Sequence, residues 1–248
     1  MDIGKSFSYP FEDNQWLSKL GLGTVISMVP ILNFAMTGYM IEIVRNLMRG
    51  VQQPLPNWDD FGRKFMDGLM LVLVGLVYAL PILLLSCLPL SFMAVPAILS
   101  SNGDMQYVAE ALAGVGGVLL AGMACLFVVY GLVLSVIFPA VYILYAREGT
   151  FASCFKLREV FDIIGKNGGP FFTAWGISLL AGLGVGLAAG IVSSILGLIP
   201  CIGWIASIVI TLGVGVYISV IYAHLFGQFG QIAYQEKPLL PSDQPTVG

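Results

Sequence analysis

Charge is nearly absent from this chain over distances long enough to cross a lipid bilayer. The 248 residues are 58% hydrophobic and only 10% charged, against about 25% charged in a soluble domain. A helix of about 20 apolar residues covers the hydrocarbon thickness. In lipid, every backbone N–H and C=O must find its partner inside the protein. The expected fold is therefore all-α: a polytopic helical bundle of about five spans, six if the first is broken at Pro30, with two interfacial amphipathic helices. Residues 1–16 read as a polar N-terminal tail, 17–235 as one transmembrane helical domain and 236–248 as a disordered C-terminal tail.

The first apolar segment, residues 17–48, would be roughly 48 Å long as one helix, more than the ~30 Å hydrocarbon core. Pro30 interrupts it. Two arrangements satisfy this: one kinked span leaving the bilayer near Glu42, or two half-length helices forming a re-entrant hairpin. The later spans are expected at about 69–90, 107–145, 171–198 and 204–234. Residues 107–145 fit one helix bent at Pro139 or two consecutive pieces. A weak repeat relates residues 17–90 to 107–198: a long span, an arginine-bearing exit, an amphipathic stretch, a glycine turn and a further span.

Most of the charge is gathered into two connections. Asn57 to Asp67 carries Asp59, Asp60, Arg63, Lys64 and Asp67. Asn57 is a suitable N-cap, and Trp58, Phe61 and Phe65 fall at i, i+3 and i+7, giving an aromatic face opposite a charged one. That pattern predicts a short helix lying at the headgroup boundary and turning at Gly68 into the next span. Residues 151–166 repeat it, with Phe151 and Phe155 as anchors. Lysine and arginine concentrate in 45–67 and 147–166, and the two other connections carry none. By the positive-inside rule both charged loops are cytoplasmic in a multi-pass cell (plasma or inner) membrane protein. No cleavable leader or lipid-anchor motif is read in the sequence.

Small residues recur at spacing four. Ser178, Gly182, Gly186, Gly190 and Ser194 form one stripe, and Ala109, Ala113, Gly117, Ala121 and Cys125 a second. Small residues let helix backbones approach closely where lipid supplies no hydrophobic drive between helices. These faces are expected to pack on each other or on partner helices.

Chemistry is sparse. The single histidine, His224, lies above Gln228 and Gln231 on the last span, a polar strip near a helix end. It reads either as a polar lining or as a face leaving the bilayer with His224 hydrogen-bonded to a neighbour. One histidine excludes a multi-histidine metal site. No acidic residue sits clearly at mid-span, where proton-coupled carriers commonly hold one. The glycine runs at 21–23 and 182–186 lack the Lys-Ser/Thr of a phosphate loop. The four cysteines show no CxxC spacing and read as packed thiols. No catalytic residue, metal or cofactor is expected, and without a basic patch no nucleic-acid partner.

Several motifs occur together: Ser8-Tyr9-Pro10-Phe11 before Trp16; Val29-Pro30-Ile31-Leu32 before Gly38-Tyr39 and Arg45-Asn46; Pro54-Leu55-Pro56-Asn57-Trp58-Asp59-Asp60-Phe61 before Asp67-Gly68; and Tyr145-Ala146-Arg147-Glu148-Gly149 before Phe155. In these the chain resembles a prokaryotic multi-span membrane family catalogued as domain of unknown function 4013, over roughly residues 8–235. The resemblance implies a helical membrane protein with no assigned activity and no catalytic residues to carry over. The expected role is an accessory, scaffold or assembly component acting through helix packing, with the lipid bilayer and membrane proteins or further copies as partners. The alternative is a channel or transporter for a small neutral or lipidic solute.

Overall fold

The computed structural model describes residues 1–51, 55–99 and 106–235. The described chain runs α1 (Ile3–Ser8), a 3-10 turn (Tyr9–Glu12), α2 (Trp16–Met28), α3 (Phe34–Met48), α4 (Phe61–Leu99), α5 (Gln106–Glu148), a second 3-10 turn (Phe151–Phe155), α6 (Leu157–Lys166), α7 (Gly168–Leu196) and α8 (Ile202–Gln235). Among the described residues there is no strand. Four stretches are long and apolar enough to cross a membrane: Phe61–Cys87, Glu110–Glu148, Gly168–Leu196 and Ile202–Tyr234. The expected tail 236–248 lies outside the described residues. Of the loop expected over residues 91–106, 91–99 instead continue α4, and 100–105 lie outside the described residues.

The first apolar segment is the hairpin, not a kinked span. Helices α2 and α3 have 13 and 15 residues, about 20 Å each at 1.5 Å per residue, too short to cross alone. Both lie on α8 in opposite directions. Gly23 and Thr24 of α2 face Val216 and Gly213, whereas Leu47 and Met48 of α3 face Gly227 and Gly230. At the tip, Pro30 removes one donor that a membrane could not satisfy. Neighbouring N–H groups are met locally: Asn33 N–H donates to Val29 O at 2.9 Å and Ala35 N–H to Leu32 O at 2.9 Å. Val29 and Ile31 are exposed at this tip, the surface expected of a turn dipped in lipid. The first 16 residues, expected as a tail, form α1 and the 3-10 turn against α8.

The predicted helix at 58–66 is not a separate element. Residues 58–60 make a turn, and Phe61 begins a helix that runs through Gly68 without a break. Gly68 is there for close approach. A Cβ on it would lie 1.7 Å from Phe34 O, and one on Gly38 would lie 1.8 Å from Lys64 O. Helices α3 and α4 thus cross antiparallel with backbones touching at a reciprocal glycine pair, a packing that small residues permit. The second amphipathic stretch, expected over residues 151–166, divides: Phe151–Phe155 form a 3-10 turn and only Leu157–Lys166 is the helix α6, which buries Val160, Ile163 and Ile164 and leaves Leu157 and Phe161 exposed. The two sequence repeats are therefore built differently, one around a broken hairpin and the other around unbroken α5 and a free-standing α6.

Two compact units are present: Met1–Val72 with the chain from Pro139 onward, and Leu73–Phe138. The core of the first is the C-terminal half of α8, with Val220, Ile221, Leu225, Phe226 and Phe229 buried. Phe171 of α7 meets Phe226 and Phe229 at ring-centroid distances of 5.9 and 5.3 Å. At the other end of this helix pair Gly203 is required, because its Cβ would lie 1.9 Å from Leu196 O. In the second unit, Tyr130 OH donates to the carbonyl of Tyr78, whose ring meets Phe138.

Candidate functional site

The polar groups of the first unit collect where α3, α5 and α8 end and α4 begins. Arg45 donates to Asp67 at 3.4 Å and, through Nε, to Ala146 O at 3.2 Å, while Tyr145 OH donates to the other Asp67 oxygen at 2.9 Å. Arg147 stacks over Tyr234 at 4.4 Å. Lys64, only 2% exposed, places Nζ 2.7 Å from Glu42 Oε2, and Arg63 reaches the other Glu42 oxygen at 3.0 Å. Lys156 bridges Glu148 at 2.9 Å, which holds its ammonium pKa above the usual lysine value, against a smaller opposing effect of burial. Both charged connections thus lie at one edge of this unit.

Between the hairpin and the start of α4 is an open polar cleft of about 350 Å³. Four carboxylates (Asp13, Glu42, Asp59, Asp60) and two ammonium groups (Lys19, Lys64) line it. Each ammonium is already paired with a wall carboxylate: Lys19 bonds Asp13 at 2.6 Å as Lys64 does Glu42. Burial works against ionisation of Asp13, but Lys19 and the Gln15 N–H together hold its carboxyl below the usual range. Lys19 also donates to Leu55 O at 3.0 Å, and Trp58 Nε1–H donates to Lys19 O at 3.0 Å. The Trp58 ring stacks on Tyr39 at 4.6 Å and lies against Gly23. The Leu55–Phe61 stretch is therefore a clamp: its tryptophan wedges the two hairpin arms apart and its loop is pinned by Lys19. Trp58, expected as an anchor at the headgroup boundary, is half-buried here, held by the stacking and the donor bond. Phe65 likewise packs on Phe34 and Phe61. Phe151 keeps an exposed face beside Phe155, while burial pushes the neighbouring Cys154 thiol up to about 11.

His224 is 2% exposed. Its Nδ1 lies 2.9 Å from Ser6 Oγ and 2.9 Å from Gln228 Nε2, and the Tyr9 ring covers it at 4.3 Å. Burial raises the Tyr9 phenol pKa well above its ordinary value. Of the expected polar strip, His224 and Gln228 form the seat of α1, whereas Gln231 has no part in that network. Among the described residues, no three His, Cys, Asp or Glu side chains are grouped to hold a metal ion.

The stripe Gly182, Gly186, Gly190 and Ser194 does not face α8. The side of α7 that packs there carries Phe171, Ala174 and Ala181, and Ser193 O accepts from Ser207 at 2.9 Å. A Cβ on Gly182, Gly186 or Gly190 would meet nothing within 4 Å. With Leu183, Leu187, Ile191 and Ile195 these residues line a shallow apolar groove of about 600 Å³. Ser178 lies half-buried at one end of the stripe. In the other unit Ala113, Gly117 and Ala121 are exposed.

These features define a multi-helical membrane protein. A family model described as "Protein of unknown function (DUF4013)" matches residues 22–198, well over half of the sequence, and the chain belongs to that family. The match covers the hairpin from residue 22 onward, the Leu55–Phe61 clamp and α7, but neither α1 nor α8. No curated protein and no solved structure shows significant similarity to the chain.

Proposed function

We propose that this protein is a non-enzymatic accessory or scaffold component of a prokaryotic cell-membrane assembly, and that the outer face of α7 receives a transmembrane helix of a membrane-protein partner. The single observation carrying the proposal is that Gly182, Gly186 and Gly190 stand in register facing open space. Each glycine costs a helix about 1 kcal/mol relative to alanine. A lipid-facing surface gains nothing from that cost, whereas a helix arriving at close range does. The two charged connections at one edge of the first unit support placing residues 45–67 and 147–166 in the cytoplasm. The test is native-gel mobility after mild extraction from the native membrane. Gly186→Leu should abolish the higher assembly, while Gly184→Leu, equally uncrowded but off the stripe, should preserve it. Equal mobility of the two variants would dismiss the proposal. The second reading, a channel or transporter for a small neutral or lipidic solute, draws on the α2–α3 hairpin, since discontinuous helices line many transport sites. Solute flux in vesicles that survives Gly186→Leu but is lost when the hairpin is disrupted would favour it.

A further inference from the structure

Helix α5 is too long for a bilayer to cover, and we propose that its surplus turns are the interface between two copies of this chain. The helix runs unbroken from Gln106 to Glu148. The 39 residues of Glu110–Glu148, less Glu110, Arg147 and Glu148 themselves, leave 36 without a charge. At 1.5 Å per residue these extend about 54 Å, against ~30 Å of hydrocarbon. Tilting does not absorb the difference. Transmembrane helices lean by up to about 40°, and at that limit the hydrocarbon takes about 39 Å of helix, roughly 26 residues. Ala146 lies at the polar edge, between Tyr145, which bonds Asp67, and Arg147, which covers Tyr234. Counted from there, about 26 residues reach residue 121, and residues 111–120 stand beyond the hydrocarbon, away from that edge. A bend at Pro139 does not remove the surplus either, because residues 111–138 by themselves extend about 42 Å.

The surplus turns have no polar side chain, and Val118 is 75% exposed. One side of α5 is taken by α4, where Tyr130 OH donates to Tyr78 O. At about 100° per residue, Leu112 and Gly116 fall on that same side, and neither is exposed. Gly114, Val118, Ala121 and Cys125 fall on the opposite side, and all four are exposed. Lipid tails cannot cover turns that stand beyond them, and thickening the bilayer to follow the helix costs free energy for every ångström. Whatever covers this face has to project to the same height. A second copy inserted in the same orientation has an identical projection by construction. A two-fold axis along the membrane normal then sets each residue of the face against its own counterpart. A Cβ on Gly114 or Gly117 would meet nothing within 4 Å in the single chain, which leaves room for the second α5 backbone to come close. The interface is separate from the α7 groove.

The test uses the full chain in native membranes, with the native cysteines replaced by alanine and a single cysteine returned. Val118→Cys places it at the centre of the face, and Leu119→Cys places it at an exposed neighbour about 100° round the helix. Oxidation with copper phenanthroline should convert Val118→Cys into a disulfide-linked species of twice the chain mass and leave Leu119→Cys at the mass of one chain. Light scattering then counts copies in mild detergent. It is done in Gly186→Leu, so that partners on the α7 groove do not enter the count. That chain should contain two copies, and adding Val118→Asp, which sets two carboxylates face to face, should reduce it to one with its helical circular dichroism unchanged. One copy in Gly186→Leu, two copies that survive Val118→Asp, or equal cross-linking at 118 and 119 would each overturn the proposal. So would a Val118→Cys cross-link to a different protein.

Discussion

Replacing Gly38 with alanine adds one methyl group at the place where α3 and α4 touch. The new Cβ would sit 1.8 Å from Lys64 O, 2.5 Å from Lys64 C and 2.8 Å from Lys64 Cα. All three are backbone atoms of a helix, so no side chain can swing aside. Ordinary contact begins near 3.4 Å, and the helices must part by about 1.5 Å. A gap of 0.5–1 Å already forfeits a quarter to a half of each atom-pair attraction. With about 25 pairs at ~0.15 kcal/mol each, the contact loses roughly 2 kcal/mol. Parting also stretches the Lys64–Glu42 pair, a turn from Gly38 and now 2.7 Å, for about 1 kcal/mol more. Alanine returns about 1 kcal/mol of helix propensity. Separation wins, and the net loss is about 2 kcal/mol. Titrating sodium dodecyl sulfate into mixed micelles, with tryptophan fluorescence as the probe, measures it. Gly62→Ala, at a position with nothing within 4 Å, should be neutral or slightly stabilising. Gly38→Ala with Gly68→Ala should cost less than the sum of the two singles, because one separation makes room for both methyls. If Gly38→Ala and Gly62→Ala unfold at the same detergent fraction, the crossing is not as close as described and the reasoning fails.

Glu42→Gln leaves the buried Lys64 ammonium without its carboxylate and should cost about 2–3 kcal/mol in the same assay, below the full penalty for a wholly buried pair because Glu42 keeps 16% side-chain exposure; adding Lys64→Met should recover most of it. For the sidedness, a membrane-impermeant maleimide applied to intact cells should label Cys201, exposed in the turn between α7 and α8, and should miss Arg158→Cys until the cells are opened. Cys154 should stay unlabelled on both sides near neutral pH, since it is buried and its thiol pKa is pushed up to about 11.

The spans after the first were legible because lipid imposes a single rule on long apolar runs. Residues 171–198 and 204–234 anticipate α7 and α8 within a few residues at most boundaries, with the turn between them marked by Pro200 and Gly203. The amphipathic stretch that contains α6 was readable from its apolar spacing and charged remainder, but not the 3-10 turn at Phe151–Phe155 that divides it. The hairpin was visible only as one of two options, because Pro30 breaks a helix equally well in a kink and in a re-entrant turn.

The aromatic residues and glycines near Trp58 and Gly68 misled for a different reason. An aromatic stripe looks the same whether it faces headgroups or a neighbouring helix, and a glycine reads as a turn whether the chain bends there or another backbone crosses it. Nothing local distinguishes Lys64, buried against Glu42, from Arg63, half-exposed beside it. Nor could spacing show that Ser6, more than two hundred residues away in sequence, would meet His224. Composition and periodicity fix which segments enter the membrane, since transfer into hydrocarbon is additive along the chain. Which faces meet is decided by fit between distant segments, and inside a bilayer that fit is set by where two backbones can come within contact of each other.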